Sequence, residues 1–293
     1  MWRFLHLTDP HLGQGSSEGG VNARLHAHMP DIMQCLRKDI RDIEPDFILA
    51  TGDLASHHSR DAIFAARDLL DLLEAPYFPV GGDADFRHER SREWFVEAFS
   101  AHLPVADTVY SFTHKGLHFV VLDPWWEWED GALCPFLEDG KETARWALPP
   151  HQLGWLEDDL NAYSHEPTVV ALHYPVASLP DRLAHPERRT PGTLSNSELL
   201  LELFQEHPQV KMLLSGHSHQ HYIVTHRQLT QVVTGALVEY PVEYREIQVF
   251  DDRLEVLTHG LSNETFASLS LAGGNVWPAG GEPDRSAVVY LEF

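Results

Sequence analysis

Short apolar runs alternate with amphipathic stretches through the first third of the chain. Residues 2–8, 46–51 and 77–80 are apolar runs that read as strands. Between them apolar positions recur at helical spacing, first Ile32, Leu36 and Ile40, then Ile63, Ala66, Leu70 and Leu73. After the third run come Trp94, Phe95, Ala98 and Phe99, which predict a third helix. Pro30 suits a first helical turn, and Pro45 and Pro76 stop the first two helices. Strand and helix in alternation predict parallel β-α-β units.

The pattern changes after Pro104. Residues 110–113 and 118–123 read as a hairpin turning at Lys115-Gly116. A helix over 151–163 presents Leu153, Leu156 and Leu160, and a strand over 169–172 follows. Ser195-Asn196-Ser197-Glu198 has the form of a capping box for a helix carrying Leu199, Leu200, Leu203 and Phe204, closed by Pro208. Residues 210–214 form another apolar run. From Tyr222 onward the chain reads as strand, with 232–234, 244–250 and 254–259 alternating and Asp251-Asp252 as a turn. Residues 262–286, rich in Gly, Pro and Ser, read as irregular, and 287–293 as a last strand. Residues 124–150 carry Trp125, Trp126, Trp128 and Trp146 among acidic residues and fit no element. They read either as a surface flap packed by its own tryptophans or as a lid that selects substrate. With no internal repeat and no linker, a single domain over 1–293 is expected.

Five of the apolar runs end in residue types that ligate metals. The first leads to Asp9-Pro10-His11, the second to Gly52-Asp53, and the third to Gly81-Gly82-Asp83-Ala84-Asp85. The run at 169–172 ends at His173, and that at 210–214 at Gly216-His217-Ser218-His219. Taken singly, each carboxylate is a strand-end cap and each histidine a hydrogen-bonded core residue; among 20 histidines one Gly-His-x-His pair arises by chance. Together they fall where open α/β sheets gather their ligands, at the carboxyl ends of strands. Mixed imidazole and carboxylate donors suit Mn, Fe, Zn or Co better than Ca, which prefers oxygen alone.

Composition narrows the partners. The chain has 293 residues, 43% of them hydrophobic, enough for a sizeable core. A net charge of -23 repels phosphate backbones and anionic membranes, so no nucleic acid or membrane partner is expected. Bound metals could still give one small phosphorylated substrate a local positive site. Cys35, within a helical pattern, reads as a buried thiol and Cys134 as a loop residue; two cysteines make neither a disulfide framework nor a thiolate zinc site. A strand-first N-terminus and the lack of a membrane-spanning apolar run give a cytoplasmic expectation. No feature sets the oligomeric state.

The ordered set Asp9-x-His11, Gly52-Asp53, the Gly82 loop, His173 and Gly216-His217-x-His219 resembles the calcineurin-like metallophosphoesterase superfamily. Within it, the spacing is most similar to the group of cyclic-nucleotide and glycerophosphodiester phosphodiesterases. Gln152-Leu153-x-Trp155-Leu156 is also similar, and the resemblance spans 2–261. It implies an α/β fold, a four-layer α-β-β-α sandwich with mixed sheets, holding two divalent ions of Mn, Fe or Zn. Position by position, Asp9, His11 and His219 would hold the first ion, Asp83, His173 and His217 the second, and Asp53 would bridge. The implied chemistry is hydrolysis of a small phosphate ester, more a diester than a monoester. A hydroxide shared by ions about 3.5–4 Å apart would attack, with Asp53, Asp83 and His217 as the catalytic set.

One loop departs from the family. Where the family reads Gly-Asn-His-Asp, this chain reads Gly82-Asp83-Ala84-Asp85, aligned without a gap so that Asp83 keeps an oxygen ligand. Sliding the loop by one would instead place Asp83 at the histidine position. The extra carboxylate predicts tighter metal binding, a less acidic bridging water and a weaker pull on a phosphate dianion. Alanine at 84 removes a group that would contact phosphate or protonate the leaving group, a contribution of about 10²–10⁴-fold. His88 and His221 lie nearby in sequence as substitutes, and Arg87 reads as a surface ion pair that could reach a phosphate. Two further readings follow: a metal-binding scaffold of the same fold that is catalytically weak or inactive, and a nuclease, which the charge of -23 disfavours.

Overall fold

Apolar runs become strands, and stretches of helical spacing become helices, largely in the predicted order. The structure, a computed structural model, describes residues 1–15, 20–137, 143–184, 192–272 and 274–292. Gly19 of the glycine-rich N-terminal loop, residues 138–142 of the Trp-rich segment and Phe293 lie outside the described residues. The first third runs β1 (Trp2–Leu7), α1 (Met29–Ile43), β2 (Ile48–Thr51), α2 (Arg60–Asp71), β3 (Tyr77–Val80) and α3 (Ser91–Ala98). Next come β4 (Tyr110–His114), β5 (Leu117–Val121), β6 (Trp125–Trp128), β7 (Leu133–Cys134) and β8 (Thr143–Ala147). They are followed by α4 (Pro150–Ala162), β9 (Thr168–Ala171), α5 (Ser197–Glu206) and β10 (Val210–Ser215). The last elements are β11 (Tyr222–His226), β12 (Leu229–Val233), β13 (Glu243–Val249), β14 (Arg253–Gly260), α6 (Thr265–Leu271) and β15 (Ala287–Tyr290).

Two six-stranded mixed sheets carry the fold. The first has the order β15-β14-β13-β1-β2-β3, with β1, β2 and β3 parallel and the β13–β15 meander antiparallel. The second has the order β11-β12-β10-β9-β5-β4, a parallel centre with an antiparallel hairpin strand at each edge. Successive side chains on a strand point to opposite faces. Leu5 and Leu7 of β1 therefore pack with Ile32, Leu36, Ile63 and Leu70 of α1 and α2. Phe4 points the other way, into the layer between the sheets. There it stacks on Phe47 at 5.2 Å and meets Phe119 edge-on at 5.2 Å. Such aromatic pairs add about 0.5–1.5 kcal/mol beyond their area burial. Leu156, Leu160, Leu200 and Phe204 of α4 and α5 cover the far face of the second sheet. The layers are thus helix, sheet, sheet, helix, as the resemblance implies.

Five local expectations are corrected. Part of the unplaced Trp-rich segment forms a small antiparallel sheet, β7-β6-β8, in which Trp126 and Trp128 are buried beside Cys134. Cys134 is accordingly a buried strand residue and not a loop thiol, and Cys35 is only half-buried. The expected capping box does not form: Asn196 caps α5 without a side-chain bond to the helix. Its amide is taken by Leu148, donating to the carbonyl at 2.8 Å and accepting from the N–H at 3.0 Å. The expected irregular stretch 262–286 contains α6, whose Phe266 is buried against the first helical layer.

Near the carboxyl ends of the parallel strands the layer between the sheets turns polar, with His6, Thr51, Thr234, His221 and Arg245 all buried. The ring of His6 bridges Thr51 Oγ1 at 2.6 Å and Thr234 Oγ1 at 2.9 Å, tying β1 to both sheets. Burial, reinforced by the Arg245 charge, pushes its pKa down to about 3 from 6.5. Below about pH 6.5 the unfolded chain takes up this proton before the folded one does. The stabilisation is therefore complete above that pH and is lost as pH falls toward about 3. In His6→Gln the acid-induced loss of stability should be shallower than in the wild type, by up to about 1.4 kcal/mol per pH unit between those limits. Urea unfolding midpoints of both proteins, followed from neutral pH down into that window, check this; parallel curves would contradict the account.

Candidate metal centre

The candidate ligands sit on turns just past strand ends, and most of those turns are left-handed. Asp9, His11, Asp53, His217 and His219 have φ of +50°, +41°, +50°, +61° and +50°. A non-glycine residue held there costs about 1–3 kcal/mol, and such residues cluster where function constrains the backbone. Glycines let the ends approach one another. A Cβ on Gly52, itself at φ +83°, would lie 2.2 Å from His173 Nδ1. One on Gly216 would lie 1.8 Å from Thr8 Oγ1 and 2.4 Å from Asp9 Oδ2. Glycine at 216 is what allows β10 to end against the end of β1.

All seven predicted side chains converge, in two groups. Asp9, His11, Asp53 and His219 form one, and Asp83, His173 and His217 the other; within each group the candidate ligand atoms lie within 4.8 Å of one another. In the first, His219 Nε2 is 3.1 Å from Asp9 Oδ1 and 3.3 Å from His11 Nε2, which is 3.5 Å from Asp53 Oδ2. In the second, Asp83 Oδ1 is 3.1 Å from His217 Nδ1 and 3.4 Å from His173 Nε2. Asp53 spans the two groups, because its Oδ1 lies 3.4 Å from His173 Nε2.

Their partners set the direction of the lone pairs. His173 Nδ1 lies 2.9 Å from the Thr51 carbonyl, which only accepts, so this nitrogen carries the proton and Nε2 of the neutral ring presents a lone pair. His219 Nδ1 faces Glu239 Oε1 at 2.5 Å, and its Nε2 is turned inward in the same way. Asp9 Oδ2 accepts from the His217 N–H at 3.0 Å and from Thr8 at 2.7 Å. By contrast Asp9 Oδ1 and His173 Nε2, both fully buried, make no hydrogen bond. Ring nitrogens and carboxylate oxygens thus converge with two of them unpartnered, and a cation satisfies that arrangement.

The electrostatics agree. Burial opposes charge on His219, but the Asp9 and Glu239 carboxylates override it and push its pKa up to about 10. Burial likewise opposes a proton on His173, and Asp53 and Asp9 raise its pKa well above the ordinary value. Against burial, the His219 and His173 rings hold Asp9 well below the carboxylate range, and His173 and His217 do the same for Asp83. Burial dominates at His11, pushing it down to about 4 despite Asp53. The excess negative charge that draws protons onto His173 and His219 would equally draw divalent cations, which displace such protons.

Glu239, Asp85, Arg24, His57 and His58 are neighbours to which sequence reasoning assigns no role, while for the Trp-rich segment and Arg87 it offers a place near the site. Glu239 is buried, orients His219, and accepts from the Asn22 N–H at 2.6 Å. Asp85 accepts from the N–H groups of Ala55, Leu54 and Gly82 at 2.8, 3.2 and 2.9 Å, binding the turn after β2 to the loop after β3. Burial, with the Asp53 charge, pushes Asp85 up to about 7. Trp146 of β8 stacks on Tyr174 at 4.6 Å and meets the His217 ring edge-on at 4.8 Å. The Trp126 indole donates to the Phe86 carbonyl at 3.2 Å, so the Trp-rich segment is fastened beside the second group. A pocket of ≈340 Å³ opens over both groups, and its wall includes Arg24, His57, His58, Ala84 and Arg87. Neither suggested substitute for the histidine missing at 84 is part of that wall. His88 is exposed and stacks on Trp94, while His221 is buried 3.0 Å from Glu243. Glu239 is a carboxylate set in the apolar run 236–242 and Asp85 closes the Gly82 loop, but neither position by itself indicates the role.

Comparison with known proteins bears on this geometry. A solved dimetal phosphatase from Danio rerio superposes with a TM-score of 0.71 at 16% identity, covering 99% of each chain. A purple acid phosphatase from yellow lupin superposes at 0.55 and 14% identity, over 90% of this chain and 52% of its own. Both likenesses concern the fold. Among curated relatives, a 3',5'-cyclic-nucleotide phosphodiesterase from Nostoc is 37% identical over 63% of this chain and 60% of its own length. A probable cyclic nucleotide phosphodiesterase from Synechococcus is 28% identical over 63% of this chain, and the match spans 62% of that relative, again under two thirds. A 3',5'-cyclic adenosine monophosphate phosphodiesterase from Haemophilus influenzae is 24% identical over 74% of this chain and 70% of its own. The family model for calcineurin-like phosphoesterases matches residues 3–221, a stretch that holds every strand end described above, and the chain belongs to that family of phosphoric ester hydrolases.

Proposed function

We propose that this chain is a dinuclear metal-dependent phosphodiesterase acting on a small phosphate diester. The observation that carries this reading is the pair of buried atoms without hydrogen-bond partners, Asp9 Oδ1 and His173 Nε2, one in each ligand group, with Asp53 between the groups. The donors fit: Asp9, His11 and His219 would hold one ion, Asp83, His173 and His217 the other, and Asp53 would be shared. When bound, divalent ions of the Mn, Fe or Zn class supply positive charge for the phosphoryl oxygens and acidify a water for attack on phosphorus. The rest falls to the chain. Glu239 and the Thr51 carbonyl fix the tautomers of His219 and His173, an outer-shell role typically worth about 10–100-fold in metal affinity. Trp146 and Tyr174 cover one side of His217 and limit water there. The ≈340 Å³ pocket matches a small ligand, and relatives named as cyclic-nucleotide phosphodiesterases favour a diester.

Metal analysis of the purified protein should find two ions per chain, and added Mn should support hydrolysis of bis-p-nitrophenyl phosphate. Asp53→Asn and His217→Ala should each lower kcat/KM by about 10²-fold or more. Activity indifferent to both substitutions would sink the proposal. Ala84 on the pocket wall favours a second reading, a metal-binding scaffold, and two bound ions without turnover on any ester would select it.

Leaving-group protonation cannot come from the side chain of Ala84. Among the described residues of the pocket wall, His57 and His58 are the imidazoles outside the two ligand groups, and we assign the task to one of them. p-Nitrophenolate leaves without a proton, whereas an alkoxide needs one. The double variant His57→Gln/His58→Gln should therefore slow an alkyl phosphodiester by about 10²-fold or more while hardly affecting bis-p-nitrophenyl phosphate. Equal losses on both esters would remove these histidines from the proton path.

A further inference from the structure

Arg87 lies four residues after Asp83 and lines the pocket with it. Its Nη2 is 3.4 Å from Asp83 Oδ2 and its Nε 3.4 Å from the Asp83 carbonyl. Arg24 also lines the pocket, but Glu239 lies 3.7 Å from its Nε, so a carboxylate that is not a candidate ligand offsets its charge. Arg87 differs in that its carboxylate partner is itself a candidate ligand.

We propose that Asp83 and Arg87 act as one unit, the arginine restoring the positive charge that the aspartate removes and gripping the substrate phosphate. The proposal rests on the dinuclear reading above. Two divalent ions bring four positive charges. Asp9, Asp53 and Asp83 leave one of them, where an uncharged ligand at 83 would leave two. The single positive charge of the Arg87 guanidinium brings the pocket back to two. A guanidinium has five N–H donors, and the contacts to Asp83 engage only its Nε and Nη2, both at a long 3.4 Å. Donors remain for an anion held above the ligand groups.

The pair has little to do with stability. The Arg87 side chain is 44% exposed, and an ion pair that open to water contributes close to nothing. Its effect belongs to anion binding, where a charged hydrogen bond is made in a pocket partly shut off from water. The arrangement also separates two properties. Asp83 faces the ligand side and strengthens the hold on the ion, while Arg87 faces the pocket and serves the phosphate.

The test uses the Mn-loaded protein with inorganic phosphate as probe, read by calorimetry beside metal content and melting temperature. Arg87→Ala should keep two Mn and an unchanged melting temperature but bind phosphate roughly 10- to 100-fold more weakly. Its KM for bis-p-nitrophenyl phosphate should rise more than its kcat falls. Arg87→Lys, a point charge without the fork, should recover part of the phosphate affinity. Asp83→Asn/Arg87→Ala should bind phosphate better than Arg87→Ala alone, because the two charge changes cancel. Phosphate affinity in Arg87→Ala within twofold of the wild type, with two Mn bound, overturns the pair and leaves the dinuclear reading standing. A wild-type protein that takes up no Mn overturns both.

Discussion

Three carboxylates, two buried and one half-buried, crowded beside the same few imidazoles are the constraint to which the rest of the molecule answers. Asp9 is fully buried, Asp53 nearly so, and both reach the His173 ring, at 3.9 and 3.4 Å. Burying an ion costs several kcal/mol unless its lone pairs are met. Part of the compensation is built from backbone. The His217 N–H reaches Asp9 and the Ala84 N–H reaches Asp53, at 3.0 and 2.8 Å. What those donors leave uncompensated is the inward face of the two groups, which on the proposed reading is the work of the ions.

Bringing that charge together requires the ends of β1, β2, β3, β9 and β10 to meet, although they belong to two sheets. Parallel strands aim their carboxyl ends one way, and the aromatic layer of Phe4, Phe47 and Phe119 holds the sheets face to face. At the last residues the layer becomes polar, and His6 links Thr51 of the first sheet to Thr234 of the second. The turns beyond must then double back within a residue or two. Left-handed φ at Asp9, Asp53 and His217 achieves this, and the missing side chains at Gly52 and Gly216 leave the room. The strain is thus a consequence of where the ligands have to point.

The convergence of the candidate ligands was legible in the sequence because their signal is local. An apolar run, a glycine and a ligand-type residue are neighbours, and the strand period fixes where the run stops. Glu239 and Asp85 were not legible, since their roles depend on which loops meet. Glu239 works on His219 and on Asn22, 217 residues away. The Trp-rich segment hid its strands for a different reason: they are short, and the β6–β8 pairing shifts register between Glu127 and Trp128, which breaks the alternation a reader would look for. At Ser195–Glu198 a correct local motif lost to a tertiary partner, because Leu148 offers the Asn196 amide both a donor and an acceptor. His57 and His58 follow Asp53 by only a few residues, with no strand end or periodicity to mark them.

On the proposed reading, the loop after β3 separates holding metal from moving protons. At position 84 the backbone N–H, not the side chain, secures Asp53, at 2.8 Å from Oδ1. Because that bond comes from the backbone, it holds Asp53 between the two groups whatever side chain stands at 84. At position 83 the reverse holds, because the side chain itself enters the ligand group and its charge must be balanced nearby, as Arg87 is placed to do. Asp85 then fastens both positions through the N–H groups of Gly82, Leu54 and Ala55, independent of either substitution. The frame of the site is therefore carried by backbone bonds and Asp85, and on the proposed reading residues 83 and 84 act on separable quantities, the charge over the ions and the source of a proton. Only the second needs replacing from another loop, and the pocket wall that carries Ala84 also carries His57 and His58.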